Sequence, residues 1–453
     1  MGSQGGEGGL HQLLGSLATL SSTTQLVSLL LAAGLAWLLR TRMRCFGCRG
    51  PLVDTNQGTV EGSTLKTEEG KTIYSYRGLP YAKPPVGKLR FQRPEPADSW
   101  PGVRDCRKEA SKCLQPNVLS PGAHWLAEGS EDCLTLSVFT KTPPRGEGEQ
   151  EVLRQELLPV IVFLHGGAFV VGSCEAALYG PDVLLDRGLV LVGVNYRLGP
   201  LGWLGLQSEA APGNLGLWDQ RLALLWVREN ISTFGGDPAN VTLLGESAGS
   251  MSAMLHMVAP PSQGLFHRVV ALSGTPRNLL LRQSRQPRVY ARALAEQLGC
   301  AQGASDKEMV EFLQGVEASK IIRHAGMFKD WDYGAPMPWV PASDVGVKEP
   351  FLPTSFEEAV RNGSIARVPV IMGCCQDEGL ILSSPYHKDP ARLELLTKEW
   401  DSWAPLLFLG KERQLAGEAE VRLAKEIREH YWPEDDLGQH PEEDLVKLRD
   451  IYG

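Results

Sequence analysis

Phe234 to Ser250 reads FGGDPANVTLLGESAGS, and the rest of the chain is organised around this stretch. Val241-Thr242-Leu243-Leu244 is a short apolar run of strand formers. It ends at Gly245-Glu246-Ser247-Ala248-Gly249, and a helix-prone stretch follows from Ser250 to Met257. Strand, G-x-S-x-G and helix in that order form a nucleophile elbow. Only residues without a Cβ let so sharp a turn pass close to itself, which accounts for the two glycines. The turn lifts the Ser247 side chain clear of the sheet. It leaves the Ala248 amide at a helix N-terminus, where free N–H groups and the helix dipole favour negative charge.

The 453 residues are 43% hydrophobic and 22% charged, an ordinary globular balance with length for a large core. A net charge of −8 gives no basic stripe for nucleic acid. The chain has no repeats, heptads, phosphate-binding glycine loop or His/Cys cluster with zinc spacing, so no metal or organic cofactor is expected. Nine cysteines are present. Cys45 and Cys48 sit beside arginines after an apolar run, as an acylation site, plain thiols or half of a metal pair. Cys113 and Cys133 bracket a loop-like stretch and are expected to form a disulfide.

Working outward, residues 1–16 are Gly-rich and read as disordered. Leu26 to Leu39 (LVSLLLAAGLAWLL) is followed by Arg40, Arg42 and Arg44. With no positive charge before it, the run suits a signal anchor better than a cleaved signal peptide. The arginines would put the following chain in the cytoplasm. Sequons at Asn230, Asn240 and Asn362 and the expected disulfide favour the lumen. The balance gives a membrane-anchored protein of the secretory pathway, with a secreted protein as the alternative.

From Leu52 the chain turns globular. Thr59 to Gly62 and Thr72 to Tyr74 read as short strands, and the proline-dense Tyr76 to Val103 as extended loop. Pro159 to Leu164, Leu189 to Asn195, Arg268 to Leu272 and Arg367 to Met372 read as strands buried on both faces, with a helix over Trp218 to Asn230. Alternating strands and helices imply an α/β sheet with helices on both faces. Ligands in such sheets gather at the strands' C-terminal ends. His165-Gly166-Gly167, Ser247 and Glu378 all follow predicted strands and so share that rim. A loop of Gly166 and Gly167 can aim backbone N–H groups at the point served by the Ala248 amide, forming an oxyanion hole. A serine hydroxyl needs a histidine base and a carboxylate to orient it. The acid is Asp377 or Glu378, in VIMGCCQDEGL (Val370 to Leu380).

Six stretches together resemble the type-B carboxylesterase/cholinesterase family of α/β-hydrolases. They are YRGLPYAKPPVGKLRF, SEDCLTLSVF (Ser130 to Phe139), HGGAF, NYRLGPLGWL (Asn195 to Leu204), GNLGLWDQRLALLWVRENI (Gly213 to Ile231) and FGGDPANVTLLGESAG. The resemblance spans Leu52 to Gly379. It implies an α/β-hydrolase domain over 50–453, incomplete at its C-terminus, after a segment 1–49 that holds the apolar anchor and a basic juxtamembrane stretch. It also implies Ser247 as nucleophile, Glu378 as triad acid, and Gly166, Gly167 and Ala248 as oxyanion hole. Cys113–Cys133 is similar to the family's first disulfide. Of the second, Cys300 is in place and Phe312 stands where its partner would be.

The base departs from the family's pattern. The family's histidine lies about a hundred residues or more beyond the acid, usually before glycine. Here about 75 residues follow Glu378, with no His-Gly among them. His387, His430 and His440 read as surface histidines, so no triad histidine is found. The expected function is hydrolysis of small-molecule carboxylic esters through an acyl-enzyme, by a chain lacking its base. The alternative is a non-catalytic, neuroligin-like adhesion protein on the same fold. Aromatics at 7% do not suggest a gorge for a quaternary ammonium, although Trp125 lies in the Cys113–Cys133 loop. A short-chain or hydrophobic ester is the expected substrate, and oligomeric state is not legible.

Overall fold

The protein is described by a computed structural model over residues 49–67, 69–117, 126–143, 157–277, 287–328, 337–410 and 416–452. The expectations at Leu26–Leu39, Cys45, Cys48 and Trp125 lie outside these residues. Among the described residues, no helix is long and apolar enough to cross a membrane.

Three apolar runs build the centre of the sheet. β8 (Leu158–Leu164), β9 (Val190–Val194) and β10 (Gly236–Glu246) lie side by side and parallel, with β11 (Arg268–Leu272) and β12 (Val370–Gly373) continuing beyond β10. All five β9 side chains are buried, as are Val160, Val162, Val241 and Leu243, because this part of the sheet is covered on both faces. β7 (Thr135–Thr140) pairs antiparallel with β9, and β3 (Thr72–Pro80) with β7. β2 (Gly58–Lys66) and β1 (Arg49–Thr55) extend that side, and β4 (Val103–Asp105) pairs with β2. Among the described residues this makes ten strands in a mixed, mainly parallel sheet. β5 (Gln115–Pro116) and β6 (Ala127–Glu128) form a separate two-stranded ribbon.

The expected α/β-hydrolase architecture is present, with two differences. The proline-dense stretch from Tyr76 is loop only after Pro80, because Tyr76 to Pro80 belong to β3. β12 was expected to be buried, yet all four of its residues are exposed. An apolar run favours burial but cannot supply a covering layer, and β12 stands at the edge of the sheet among the described residues.

Helix α1 (Leu215–Asn230) lies between β9 and β10 in the chain. Its Asp219 reaches the turn after β9 and takes both Arg197 Nε (2.8 Å) and Nη2 (2.7 Å) in a buried, two-pronged ion pair. Arg197 Nη1 also donates to the Gln92 carbonyl, so one guanidinium ties three segments together. After β12 come five helices: α3 (Leu380–Lys388), α4 (Pro390–Lys398), α5 (Trp400–Leu409), α6 (Glu418–Tyr431) and α7 (Pro441–Tyr452). The charged tail is helical as read, but it carries a hydrophobic cluster of its own. Trp400, Trp403, Leu406, Trp432 and Leu448 are buried together. The indole N–H of Trp432 donates to Asp444 at 2.6 Å.

Candidate active site

Helix α2 (Ala248–Val258) starts directly after β10, and Ser247 forms the junction with φ 53° and ψ −118°. A non-glycine residue in this backbone region is strained and persists only where its surroundings hold it. The Ser247 N–H donates to the Leu272 carbonyl of β11 (2.8 Å), and its carbonyl accepts from Met251 of α2 (3.0 Å). A Cβ on Gly245 would strike the Gly249 carbonyl, and one on Gly249 would strike the Leu164 carbonyl. The two glycines are thus required by backbone approach, as the G-x-S-x-G reading supposes.

The loop after β8 comes to the same place. A Cβ on Gly166 would lie 3.1 Å from the Ser247 Cβ and collide with Glu246 Oε2. Gly167, Ala168 and Phe169 all have positive φ (109°, 55° and 64°). Two of these are not glycine, so the turn must be braced from outside. The buried Phe169 ring meets Trp203 edge-on at 4.9 Å, and the Phe169 carbonyl accepts from Trp203 Nε1 (3.0 Å) and the Gly199 N–H (2.8 Å). His165 stacks on Tyr196 at 4.3 Å, and Tyr196 Oη donates to the His165 carbonyl (2.6 Å). His165 Nδ1 lies 2.8 Å from the Gly166 carbonyl, a contact in which the ring nitrogen donates. Burial pushes this imidazole down to about 4, so it is neutral at physiological pH. The braces Tyr196 and Trp203 both come from the stretch Asn195 to Leu204.

Glu378 follows β12 in a turn and is half-buried. The Ser273 hydroxyl and then the Cys375 N–H (2.9 Å) hold its carboxyl below the ordinary value. Asp377 pairs instead with Arg449 of α7 at 3.1 Å. Burial, and then the Glu378 charge, push the Glu246 carboxyl up. A Cβ on Gly166 would meet the Glu246 carboxylate, so Glu246 borders the same loop. The sequence reading passed over Glu246 and Ser273. Glu246 stands beside Ser247 in the motif, and Ser273 follows a predicted strand, so the strand-end rule that marked Glu378 would have marked Ser273 too.

The carboxylesterase family model matches residues 49–452. The chain belongs to the carboxylesterase family. It is 39% identical over 369 residues to juvenile hormone esterase of Tribolium castaneum, covering 79% of this chain and 60% of that protein. Para-nitrobenzyl esterase of Bacillus subtilis (strain 168) is 37% identical over 342 residues, 74% of this chain and 64% of its own length. Venom carboxylesterase-6 of Apis mellifera is 33% identical over 398 residues, 88% and 69%. A crystal structure of juvenile hormone esterase from Manduca sexta, with OTFP covalently attached, superposes with TM-score 0.73 at 27% identity, covering 89% of this chain and 73% of that one. The chain thus spans about 60% of the beetle relative's length.

Within this carboxylesterase fold, the histidines lie as follows. His256 is buried between Ser262 and Gln220 and held neutral, with its imidazole pushed down to about 3 by burial. His267 accepts from the Val241 N–H where β11 begins, at the end of the sheet away from Ser247. His430 on α6 and His440 before α7 are exposed, as read. His387 lies on α3, and its side chain is outside the described residues. The Cys113–Cys133 disulfide is formed. Cys300 is a free thiol. Phe312 reaches to 4.0 Å from where a Cβ on the neighbouring Gly299 would sit.

Asn230 is no glycosylation site. It is fully buried, its side-chain carbonyl accepts from the Asn56 N–H (2.8 Å), and its NH₂ donates to the Trp226 carbonyl (3.0 Å). A sequon reports three residue types and says nothing of access. Asn240 is half-buried and engaged by Arg268, whereas Asn362 is exposed at the end of a short helix.

Proposed function

We propose that this rim hydrolyses small-molecule carboxylic esters. In this reading Ser247 Oγ attacks the ester carbonyl and the alkoxide leaves. Water then cleaves the acyl-serine to release the acid. The Gly166, Gly167 and Ala248 N–H groups serve the oxyanion, and Glu378 is the acid, since Asp377 is engaged by Arg449. The single observation carrying the reading is Ser247 held at φ 53° at the mouth of α2, against Gly166 of the loop after β8. An adhesion role on the same fold would not require that strain.

The described histidines all have other partners or lie in the exposed tail, so the reading assigns no base. Oxyanion binding and positioning without a base still support about 10³–10⁴-fold acceleration over water. Expected outcomes are stoichiometric labelling of Ser247 by a fluorophosphonate, and slow release of 4-nitrophenol from its acetate, both lost in Ser247→Ala. Equal labelling and hydrolysis by Ser247→Ala would end the proposal. The name of the Tribolium castaneum relative, juvenile hormone esterase, fits a hydrophobic ester.

The reading extends to a secretory-pathway location, supported by the Cys113–Cys133 disulfide and the exposed Asn362 sequon, with attachment through Leu26–Leu39. Recovery of the chain in a carbonate-washed membrane pellet, with an endoglycosidase-sensitive mass, is the expected outcome. A soluble, unglycosylated chain would refute it.

A further inference from the structure

The loop that carries Gly166 and Gly167 returns to its own start. Gly167, Ala168, Phe169 and Gly172 all have positive φ, and the Val170 and Val171 N–H groups both donate to the Gly167 carbonyl at 3.0 Å. Gly172 ends the turn against its beginning. A Cβ there would lie 2.5 Å from the Gly166 carbonyl oxygen and 2.5 Å from His165 Nδ1. That carbonyl and the Gly167 N–H belong to one planar peptide, so whatever keeps the carbonyl in place also aims the N–H. Holding Gly172 therefore holds the Gly167 N–H.

Gly172 is gripped from a different part of the chain. Its N–H donates to Gln115 Oε1 (2.8 Å), and its carbonyl accepts from Gln115 Nε2 (2.9 Å). The second Nε2 proton goes to the Cys113 carbonyl (2.8 Å). One carboxamide thus meets both backbone groups of Gly172, as a neighbouring strand would, and its remaining proton fixes its own orientation. Gln115 is 3% accessible, so water does not compete for these bonds. Its footing is stiff. Cys113 is joined to Cys133 by the disulfide, the Leu114 N–H donates to the Ser130 carbonyl (3.0 Å), and β5 pairs with β6. An amide suits the position and other groups do not. A carboxylate would set a bare oxygen against the Gly172 and Cys113 carbonyls, and an apolar side chain would leave both Gly172 groups unpaired.

We propose that Gln115 is a positioning residue for ester hydrolysis at Ser247: by pinning Gly172 it fixes the 166–167 peptide and so the direction of the Gly167 N–H. The catalytic consequence rests on the ester-hydrolysis reading, and two measurements on the full chain keep the two apart. Hydrogen exchange reads the loop without substrate. In Gln115→Met the amides of residues 170–172 are expected to exchange about tenfold faster or more, as for a lost hydrogen bond, while those of Val192 and Val194 on β9 keep their rates. Gln115→Asn draws the carboxamide back by one methylene and is expected to behave alike. With 4-nitrophenyl acetate, kcat is expected to fall about 10²-fold in both variants with KM little changed, the loss that follows removal of an oxyanion donor. Gln115→Glu keeps the acceptor for the Gly172 N–H and regains a donor only when protonated. Its kcat relative to wild type is therefore expected to rise as pH is lowered from about 8 to about 5, a trend absent from Gln115→Met. Unchanged exchange at 170–172 in Gln115→Met and Gln115→Asn would overturn the proposal. So would wild-type kcat in those variants, or a Gln115→Glu ratio indifferent to pH. A wild-type chain no faster than Ser247→Ala would instead end the ester reading, and faster exchange in Gln115→Met would then still uphold the pinning of the loop.

Discussion

Ser247 and Glu378 are expected to act on one substrate, yet they stand in opposite surroundings. Ser247 sits between central strands, with a backbone approached so closely that glycine is required on either side. Its companion loop is braced by two aromatic pairs, Phe169 on Trp203 and His165 on Tyr196. Glu378 sits beyond an exposed edge strand, held by the Ser273 hydroxyl and by the amide and thiol of Cys375. Strain such as that at Ser247 needs a surround that over-determines it. A carboxylate needs only a few donors to stay ionised. The Ser247 side of the rim is therefore fixed by the core, while the Glu378 side rests on a turn beyond an exposed strand.

Paired substitutions put this contrast at risk. Gly249→Ala drives a Cβ into the Leu164 carbonyl and is expected to cost about 4 kcal/mol or more, or to abolish folding. Gly373→Ala on β12 meets nothing within 4 Å and is expected to change stability by less than about 0.5 kcal/mol. Equal melting temperatures for the two variants would erase the distinction. Next in size, Phe169→Ala opens a cavity under the glycine loop. It is expected to lose about 3–5 kcal/mol in denaturant unfolding, against less than about 0.5 for Ile371→Ala.

Acid separates the halves differently. The unfolded chain binds protons on imidazoles that the folded chain keeps neutral at His165. Stability therefore falls as pH drops from about 6.5 towards 4, by on the order of 3 kcal/mol for this residue. His256 adds loss of the same sign. Glu378 is displaced in the same direction, because its donors favour the charged form rather than the neutral one. Its contribution is full above the ordinary carboxylate value and is lost only as pH falls through its lower folded value. A stability profile flat from pH 7 to 4.5, or one that His165→Phe leaves unaltered, would contradict this ordering. The smallest effect belongs to the Asp377–Arg449 pair, which is exposed. Arg449→Ala is expected to cost at most about 1 kcal/mol in thermal unfolding. A larger loss would mean that α7 anchors the acid turn more firmly than its contacts suggest.

Much of this was legible in the chain. β8, β9 and β11 announce themselves as unbroken apolar runs, and the elbow through the spacing of Gly245, Ser247 and Gly249. The choice of Glu378 over Asp377 rests on resemblance alone, and the partners of the two lie far off in the chain. Arg449 lies 72 positions from Asp377, and Ser273 lies 105 from Glu378, so no local pattern joins them. The same gap between pattern and environment misplaced β12 and Asn230. The tail misled in another way. Its charges are solvated faces, while Trp432 stands about 30 positions from Trp400 and Trp403, too far for the sequence to announce their shared core.

What the sequence determined by itself is whatever short-range sterics and patterning dictate. It set which runs become strands, where glycine must stand for the chain to turn, and which hydroxyl is lifted onto the rim. Only the tertiary structure decided which groups meet: Phe169 with Trp203, Arg197 with Asp219, Glu378 with Ser273, and β12 with no covering layer. Burial and partnership belong to distant segments brought together by packing, and a residue's own neighbours in the chain carry no record of them.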